Sequence, residues 1–192
     1  MADLDLSATA FLHRRRSVPA KTLGLPVPDR AQILPLLTAA ARVPDHGKLE
    51  PWRFIVLERP AMLRLAKLVY TRAAALGLDG ERGAKGASQF EAGQLAVVVV
   101  SSPKASDKIP QIEQVLSAGC ACLSLLNAAL AAGWGANWLT GWPAHDPDFV
   151  AQGFGLAPHE TVAGIVHIGI MTTASTDRPR PDVAALTTWA AT

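Results

Sequence analysis

Arg42-Val-Pro-Asp-His-Gly-Lys-Leu-Glu-Pro-Trp-Arg53 lies between an apolar run with helical spacing, Ile33 to Ala41, and a strand-like run, Phe54-Ile-Val-Leu57. Pro44, Pro51 and Gly47 stop the helix and shape a loop, because proline lacks an amide donor and clashes with the preceding turn. The loop concentrates Arg, Asp, His, Lys, Glu and Trp between two buried elements. Loops held by rigid elements are where binding groups gather.

Upstream of that loop, Leu4 to Arg14 reads as a helix with Leu4, Ala8, Phe11 and Leu12 on one face. Asp29 to Arg42 reads as a second helix, entered from Pro26-Val-Pro28, and Pro35 is expected to kink it or shift its start. Downstream, Arg53 to Glu58 is a strand, and Pro60 opens a helix to about Leu76, since proline fits a first helical turn. Gly77 to Gly86 is glycine-rich and predicted to be a mobile cover for a pocket. Leu95 to Ser101 is a buried strand by its valine run. Pro110 to Ala132 is a long central helix, Trp134 to Thr140 a third strand, and Asp146 to Gln152 a short helix capped by Asp146. Thr161 to Met171 is a fourth strand, followed by Arg178-Pro-Arg-Pro181 and a last segment, Val183 to Ala191. Gly133-x-Gly135 follows a helix and precedes a strand, the reverse of the dinucleotide fingerprint, so a Rossmann domain is rejected. The element order predicts an α+β layer fold, with helices around one sheet.

The 192 residues suit a single domain, 1–192. Hydrophobic residues make up 49% and charged residues 18%, which excludes a disordered chain and supports a large core. With 18 basic and 16 acidic residues the net charge is +2, too balanced for a nucleic-acid binder. Cys120 and Cys122 form no disulfide framework or metal spacing, point to different helix faces and are expected to be small buried hydrophobes. The start carries Asp3 and Asp5 with no basic-then-apolar signal pattern, so the protein is expected in the cytoplasm. No charged residue lies between Val115 and Ala144, and Val115 to Ala132 is long enough to raise a membrane span. Ser117, Ser124 and Asn127 interrupt it and no basic flank accompanies it, so the expectation is a helix buried on all sides in a soluble protein, with no membrane partner. Five histidines show no metal-ligand spacing, and neither a Gly-x-Ser-x-Gly elbow nor a Walker loop occurs.

Arg14-Arg-Arg-Ser17, then Arg42-x-Pro-Asp-His46, then Pro51-Trp-Arg-Phe54 make this chain resemble the FMN-dependent nitroreductase family, in its short bacterial branch. The resemblance runs from Phe11 to about Asp182 and rests on the order and spacing of these motifs. From the residues alone, Arg15 and Arg16 complement a helix dipole as readily as they clamp a phosphate. The resemblance implies that Arg15, Arg16 and Ser17 hold the FMN phosphate and ribityl chain, that His46 lies on the flavin, and that Arg42 reaches the cofactor of the other subunit. It implies that Trp138-Leu-Thr-Gly141 faces the isoalloxazine ring, with backbone N–H groups at its N5 edge and Gly141 permitting close approach. Leu139 stands where relatives often carry Arg, which removes a cation beside the ring and bears on substrate charge preference and reduction potential. Arg178 and Arg180 match a basic pair used against the FMN phosphate in other branches. Ala128 to Gly133 corresponds to a stretch that meets the nicotinamide nucleotide.

The implied fold is nitroreductase-like: a mostly antiparallel central sheet flanked by helices, with the C-terminal segment exchanged across a homodimer. The implied activity is ping-pong reduction of nitroaromatic or other electron-poor small molecules with NAD(P)H, through FMN at the dimer interface. A flavin-binding or flavin-storage protein without NAD(P)H turnover is the alternative.

Overall fold

A computed structural model of the chain describes residues 8–191. The elements run α1 (Ala8–Arg14), β1 (Leu23–Gly24), α2 (Arg30–Ala40), β2 (Trp52–Glu58), α3 (Arg59–Ala75), α4 (Gly80–Ala92), β3 (Leu95–Ser101), α5 (Gln111–Ala131), β4 (Gly135–Leu139), α6 (Pro147–Phe154) and β5 (Thr161–Met171). The strands form one five-stranded sheet in the order β1-β5-β3-β2, with β4 also on β5. Every pairing is antiparallel. The fold is therefore the expected α+β arrangement, an antiparallel sheet flanked by helices.

The valine run of β3 explains the layers. Side chains alternate across a strand. Ala96, Val98 and Val100 enter a core with α3, α4 and α6, around Met62, Phe90 and Phe149. Leu95, Val97 and Val99 enter a second core with α2 and α5, around Ile33, Leu125 and Ala129. A strand buried on both faces has no polar face to show, so it reads as a continuous apolar run. The register of β5 on β3 shifts between Val99 and Val100, which pair with Gly164 and Val162. This bulge reverses the facing of β5. Val162 before it and Ile165 after it share one core, although an even and an odd position would otherwise point apart.

Local signals set most helix starts. Asp29 accepts from the Gln32 N–H and Gln32 answers through Asp29 N–H, a complete capping box on α2. Asp146 caps α6 through the Phe149 N–H, with Pro147 in the first turn, as expected. Helix α2 continues through Pro35. Pro35 and Ala31, whose carbonyl loses its helical donor, both lie on the exposed face, where water can take that bond.

Several expectations need correction. Leu4 and the first turn predicted around it lie outside the described residues. The stretch from Gly77 to Gly86 is not a loose cover: most of it forms the start of α4, capped by Asp79 through the Arg82 N–H. Its glycines are packing residues. Gly83 sits against Ala73 and Tyr70, and a Cβ on Gly86 would collide with the Trp142 indole. Strand β1 was missed, being only two residues long. Helix α5 is not buried on all sides, since Ile112, Val115, Leu116 and Leu123 face outward. Cys122 is buried, but Cys120 is exposed on that outward face.

Bidentate ion pairing ties Arg53 of β2 to Glu160, both bonds at 2.7 Å, beside the start of β5. Hydrogen bonding from Arg53 holds the Glu160 carboxyl down at about 2. His167 on β5 is 1% exposed. Burial pushes its imidazole down to about 4 from an ordinary value of about 6.5. A depressed histidine contributes stability that is complete above the unfolded value and is lost as pH falls through the folded one. Stability is therefore expected to decline between about pH 6.5 and pH 4, by up to about 3 kcal/mol from this group. Urea unfolding across that range measures the slope, and His167→Gln is expected to flatten it.

Candidate functional site

Three basic side chains meet at the corner that follows α1. The Arg15 N–H closes the last turn on the Phe11 carbonyl, and the chain then runs extended to Val18. Arg15 Nη2 donates to Ser17 Oγ at 3.0 Å. Arg15 Nε is buried with no hydrogen-bond partner among the described residues. Burial, then the positive charges of Arg180 and Arg16, lower the pKa of Arg15. Arg16 Nε donates to the Thr176 carbonyl at 3.2 Å, which draws the chain after β5 back to this corner. Arg180 pairs there with Asp177 at 2.7 Å, and the Arg178 N–H donates to the same carboxylate. The result is clustered guanidinium groups with an unused buried donor, an arrangement that suits a multiply charged anion such as phosphate.

The corner is fastened to β4. Val18 N–H donates to the Ala136 carbonyl and Asn137 Nδ2 donates to the Val18 carbonyl. Beyond Asn137, the Trp138 indole lies over Gly164, where any Cβ would collide with it. Leu139 is the last residue of β4 paired with β5. Thr140 and Gly141 then leave the sheet, and Gly141 has φ 77°, a left-handed conformation that favours glycine. Trp138 lines a cavity of about 550 Å³ along the outer face of α5, with Leu116, Cys120, Leu123 and Ser101. The Ser101 hydroxyl is buried there without a hydrogen-bond partner among the described residues. A larger apolar groove, about 1080 Å³, runs between α2 and the β2 edge and contains none of the expected site residues.

Arg42 and His46 form a separate group. Asp45 folds their loop by accepting from the Leu49 and Glu50 N–H groups. Ser117 of α5 donates to the Pro44 carbonyl, and Trp52 donates to Ser117. His46 Nδ1 lies 2.6 Å from Glu113 Oε2 of α5. A carboxylate can only accept, so Nδ1 carries the proton. Arg42 is exposed.

The structure thus joins Arg15, Arg16, Ser17 and Arg180 directly, and links them to β4. His46 instead contacts Glu113 of α5, while Arg42 is exposed with its N–H on the Ala39 carbonyl. Sequence reasoning missed Glu113, Gln89 and His167. Glu113 lies 67 positions from its partner His46, and the Gln89 amide lies 51 positions from the Thr140 carbonyl to which it donates at 2.9 Å. A local signal for Gln89 did exist: Gly83, Gly86, Ala87 and Phe90 are the buried stripe of α4 at helical spacing.

Comparisons with known proteins bear on the fold and the family. The model described as "Nitroreductase family" matches residues 12–170. An Escherichia coli K12 protein named "Putative NAD(P)H nitroreductase YdjA" is 31% identical over 185 residues, covering 96% of this chain and 100% of that protein. A Haemophilus influenzae protein named "Putative NAD(P)H nitroreductase" is 32% identical over 166 residues, covering 85% of this chain and 88% of that one. The crystal structure of a nitroreductase-like family protein from Bacillus cereus superposes with TM-score 0.80 at 20% identity, covering 97% of each chain. An FMN-dependent nitroreductase from Clostridium difficile R20291 gives TM-score 0.63 at 18% identity, covering 92% of this chain and 93% of that one. The structural matches speak to fold, and the family model and sequence relatives speak to descent. On the match over residues 12–170, carried by relatives that align along most of the chain, this protein belongs to the Nitroreductase family.

Proposed function

We propose that the protein is a cytoplasmic, homodimeric oxidoreductase that binds FMN and uses NAD(P)H to reduce nitroaromatic or other electron-poor small molecules. The observation that carries this reading is the buried, unpartnered Nε of Arg15 among Arg16, Ser17 and Arg180. A phosphate there would satisfy the orphaned donor and offset the mutual repulsion of the guanidinium groups. FMN, when bound, would accept hydride from the nicotinamide and deliver reducing equivalents to the second substrate in a ping-pong cycle.

The chain's own residues divide the work. Arg15, Arg16, Ser17 and Arg180 hold the phosphate end, and Arg178 adds positive charge beside them. Trp138, Leu139, Thr140 and Gly141 present the strand end to the ring. Leu139 makes that surface apolar and uncharged, which favours flat substrates that need no counter-cation. Glu113 orients His46 so that Nε2 is the ring atom left to meet a flavin or substrate oxygen; it donates a proton only as the imidazolium.

A second copy of the chain is the third part of the reading. Helix α5 exposes an apolar stripe in which Leu116 is 62% exposed, and the C-terminal segment leaves Trp189 90% exposed. Such surfaces suit an obligate interface, which is large and apolar. We assign the α5 stripe to the dimer core and the C-terminal segment to exchange across it, with Arg42 reaching the partner's cofactor.

Three measurements test this. Arg15→Ala or Arg16→Ala is expected to weaken FMN binding by roughly 10- to 150-fold, the loss of one charge-assisted bond of about 1.5–3 kcal/mol. Unchanged affinity in both variants, read by flavin fluorescence titration, removes them from the site. Anaerobic NADPH or NADH is expected to bleach the visible bands of the FMN-loaded protein. Retained bands that do not bleach would make it a flavin-binding or storage protein instead. Deletion of residues 183–192 is expected to shift the dimer toward monomer in light scattering, and a fully dimeric truncated protein would overturn the exchange.

A further inference from the structure

The residues that follow β4 are supported by a helix that plays no part in holding the phosphate end. Ladder pairing to β5 stops at Leu139, so nothing in the sheet fixes Thr140 to Trp142. Helix α4 takes over at each position. Gln89 Nε2 donates to the Thr140 carbonyl at 2.9 Å. At Gly141 a Cβ would stand 3.2 Å from the same Gln89 nitrogen. Trp142 Nε1 donates to the Arg82 carbonyl at 3.0 Å, and its indole fills the space left by Gly86.

Hydrogen-bond chemistry fixes the direction of this brace. A carbonyl only accepts, so the Gln89 amide nitrogen must face Thr140 and its Oε1 must face the other way. There Oε1 lies 3.4 Å from His167 Nε2. Oε1 also only accepts, so His167 carries its proton on Nε2. Its Nδ1 is left as a buried acceptor without a partner among the described residues. The Thr140 carbonyl and the His167 Nε2–H thus agree on one amide orientation, and His167 is paired on both edges of β5, with Ala96 and Asn137.

We infer that Gln89 is a positioning residue for hydride transfer: it fixes the Thr140–Gly141 peptide against the flavin edge, and His167 sets the orientation of its amide. The inference rests on the reading that FMN lies against Trp138 to Gly141. Gln89 touches neither the phosphate corner nor a reacting atom. Its loss should therefore spare cofactor affinity and impair the geometry of transfer.

Gln89→Met keeps the side chain's length and removes the donor. In the cofactor-free protein, exchange of the Ala144 N–H, which is held on the Gly141 carbonyl, is expected to rise about tenfold or more as the loop opens. In the loaded protein, FMN affinity is expected to stay within about threefold. The anaerobic rate of flavin reduction by NADH should fall roughly 10- to 100-fold, the scale of a small misplacement. Gln89→Glu supplies a second readout. Its ionised carboxylate cannot donate to Thr140 but its protonated form can, so its reduction rate relative to the native protein should recover as pH falls. Native exchange and reduction rate in a folded Gln89→Met protein would overturn the inference and leave the FMN reading intact. Should Gln89→Met not fold, a native pH profile in Gln89→Glu overturns it. Failure of the native protein to bind FMN would instead overturn the reading beneath it, which the exchange measurement on cofactor-free protein tells apart.

Discussion

The burial of β3 on both faces is the constraint on which the rest of the structure depends. Val97, Val98, Val99 and Val100 are each 0% exposed. Strands β2 and β5 pair with its backbone along the two edges, which keeps most of its amide and carbonyl groups bonded in the dry interior. Helices must then cover both faces: α3, α4 and α6 on one, α2 and α5 on the other. A one-residue slip would exchange the two sets of side chains, and that penalty fixes the register. The bulge in β5 is where the sheet departs from simple alternation. After it, Ile165 and Val166 serve opposite cores, and His167 falls on the side where α4 can reach it.

The candidate site residues gather where the ladder ends. Strand β4 stops at Leu139, β5 at Met171, and the corner after α1 is bonded to the sheet through Val18. These ends are rigidly anchored on one side and lack sheet partners on the other. Side chains from distant elements complete them: Arg16 reaches the Thr176 carbonyl and Gln89 the Thr140 carbonyl. A site built this way has a stiff base and short loops whose geometry is set by a few directional bonds. Removing one bond should therefore change position more than stability.

Helix α5 serves two layers at once. Ala118, Ala121, Cys122, Leu125 and Ala129 fill the core, while Ile112, Leu116 and Leu123 face away from it. Small residues on the inward face let the helix lie close to the sheet. Large ones on the outward face leave apolar surface that a single copy cannot cover. Its lack of charge beyond Glu113 suits core packing on the inward face and, under the proposed dimer, a partner on the outward one.

Strands β3 and β5 were legible to the residue, because a valine run and a β-branched stretch bounded by turns are local signals. Asp146-Pro147 announced α6 in the same way, and the Arg-Arg-Ser and Arg-x-Pro-Asp-His motifs named the family. Helix α4 was hidden because glycine, a poor helix former, is used there to bring a helix against Trp142 and α3, and only the packed neighbour reveals why it is tolerated. Strand β1 is too short to carry a pattern and exists because β5 offers it an edge. By itself the sequence determined the elements whose periodicity is local, the balance of charge and the family. The tertiary structure alone decided that Arg180 returns to Arg15, that Glu113 faces His46, and that Gln89 stands between His167 and Thr140. Each of those contacts joins residues far apart in the chain, and no local energy term specifies such a pairing before the core has formed.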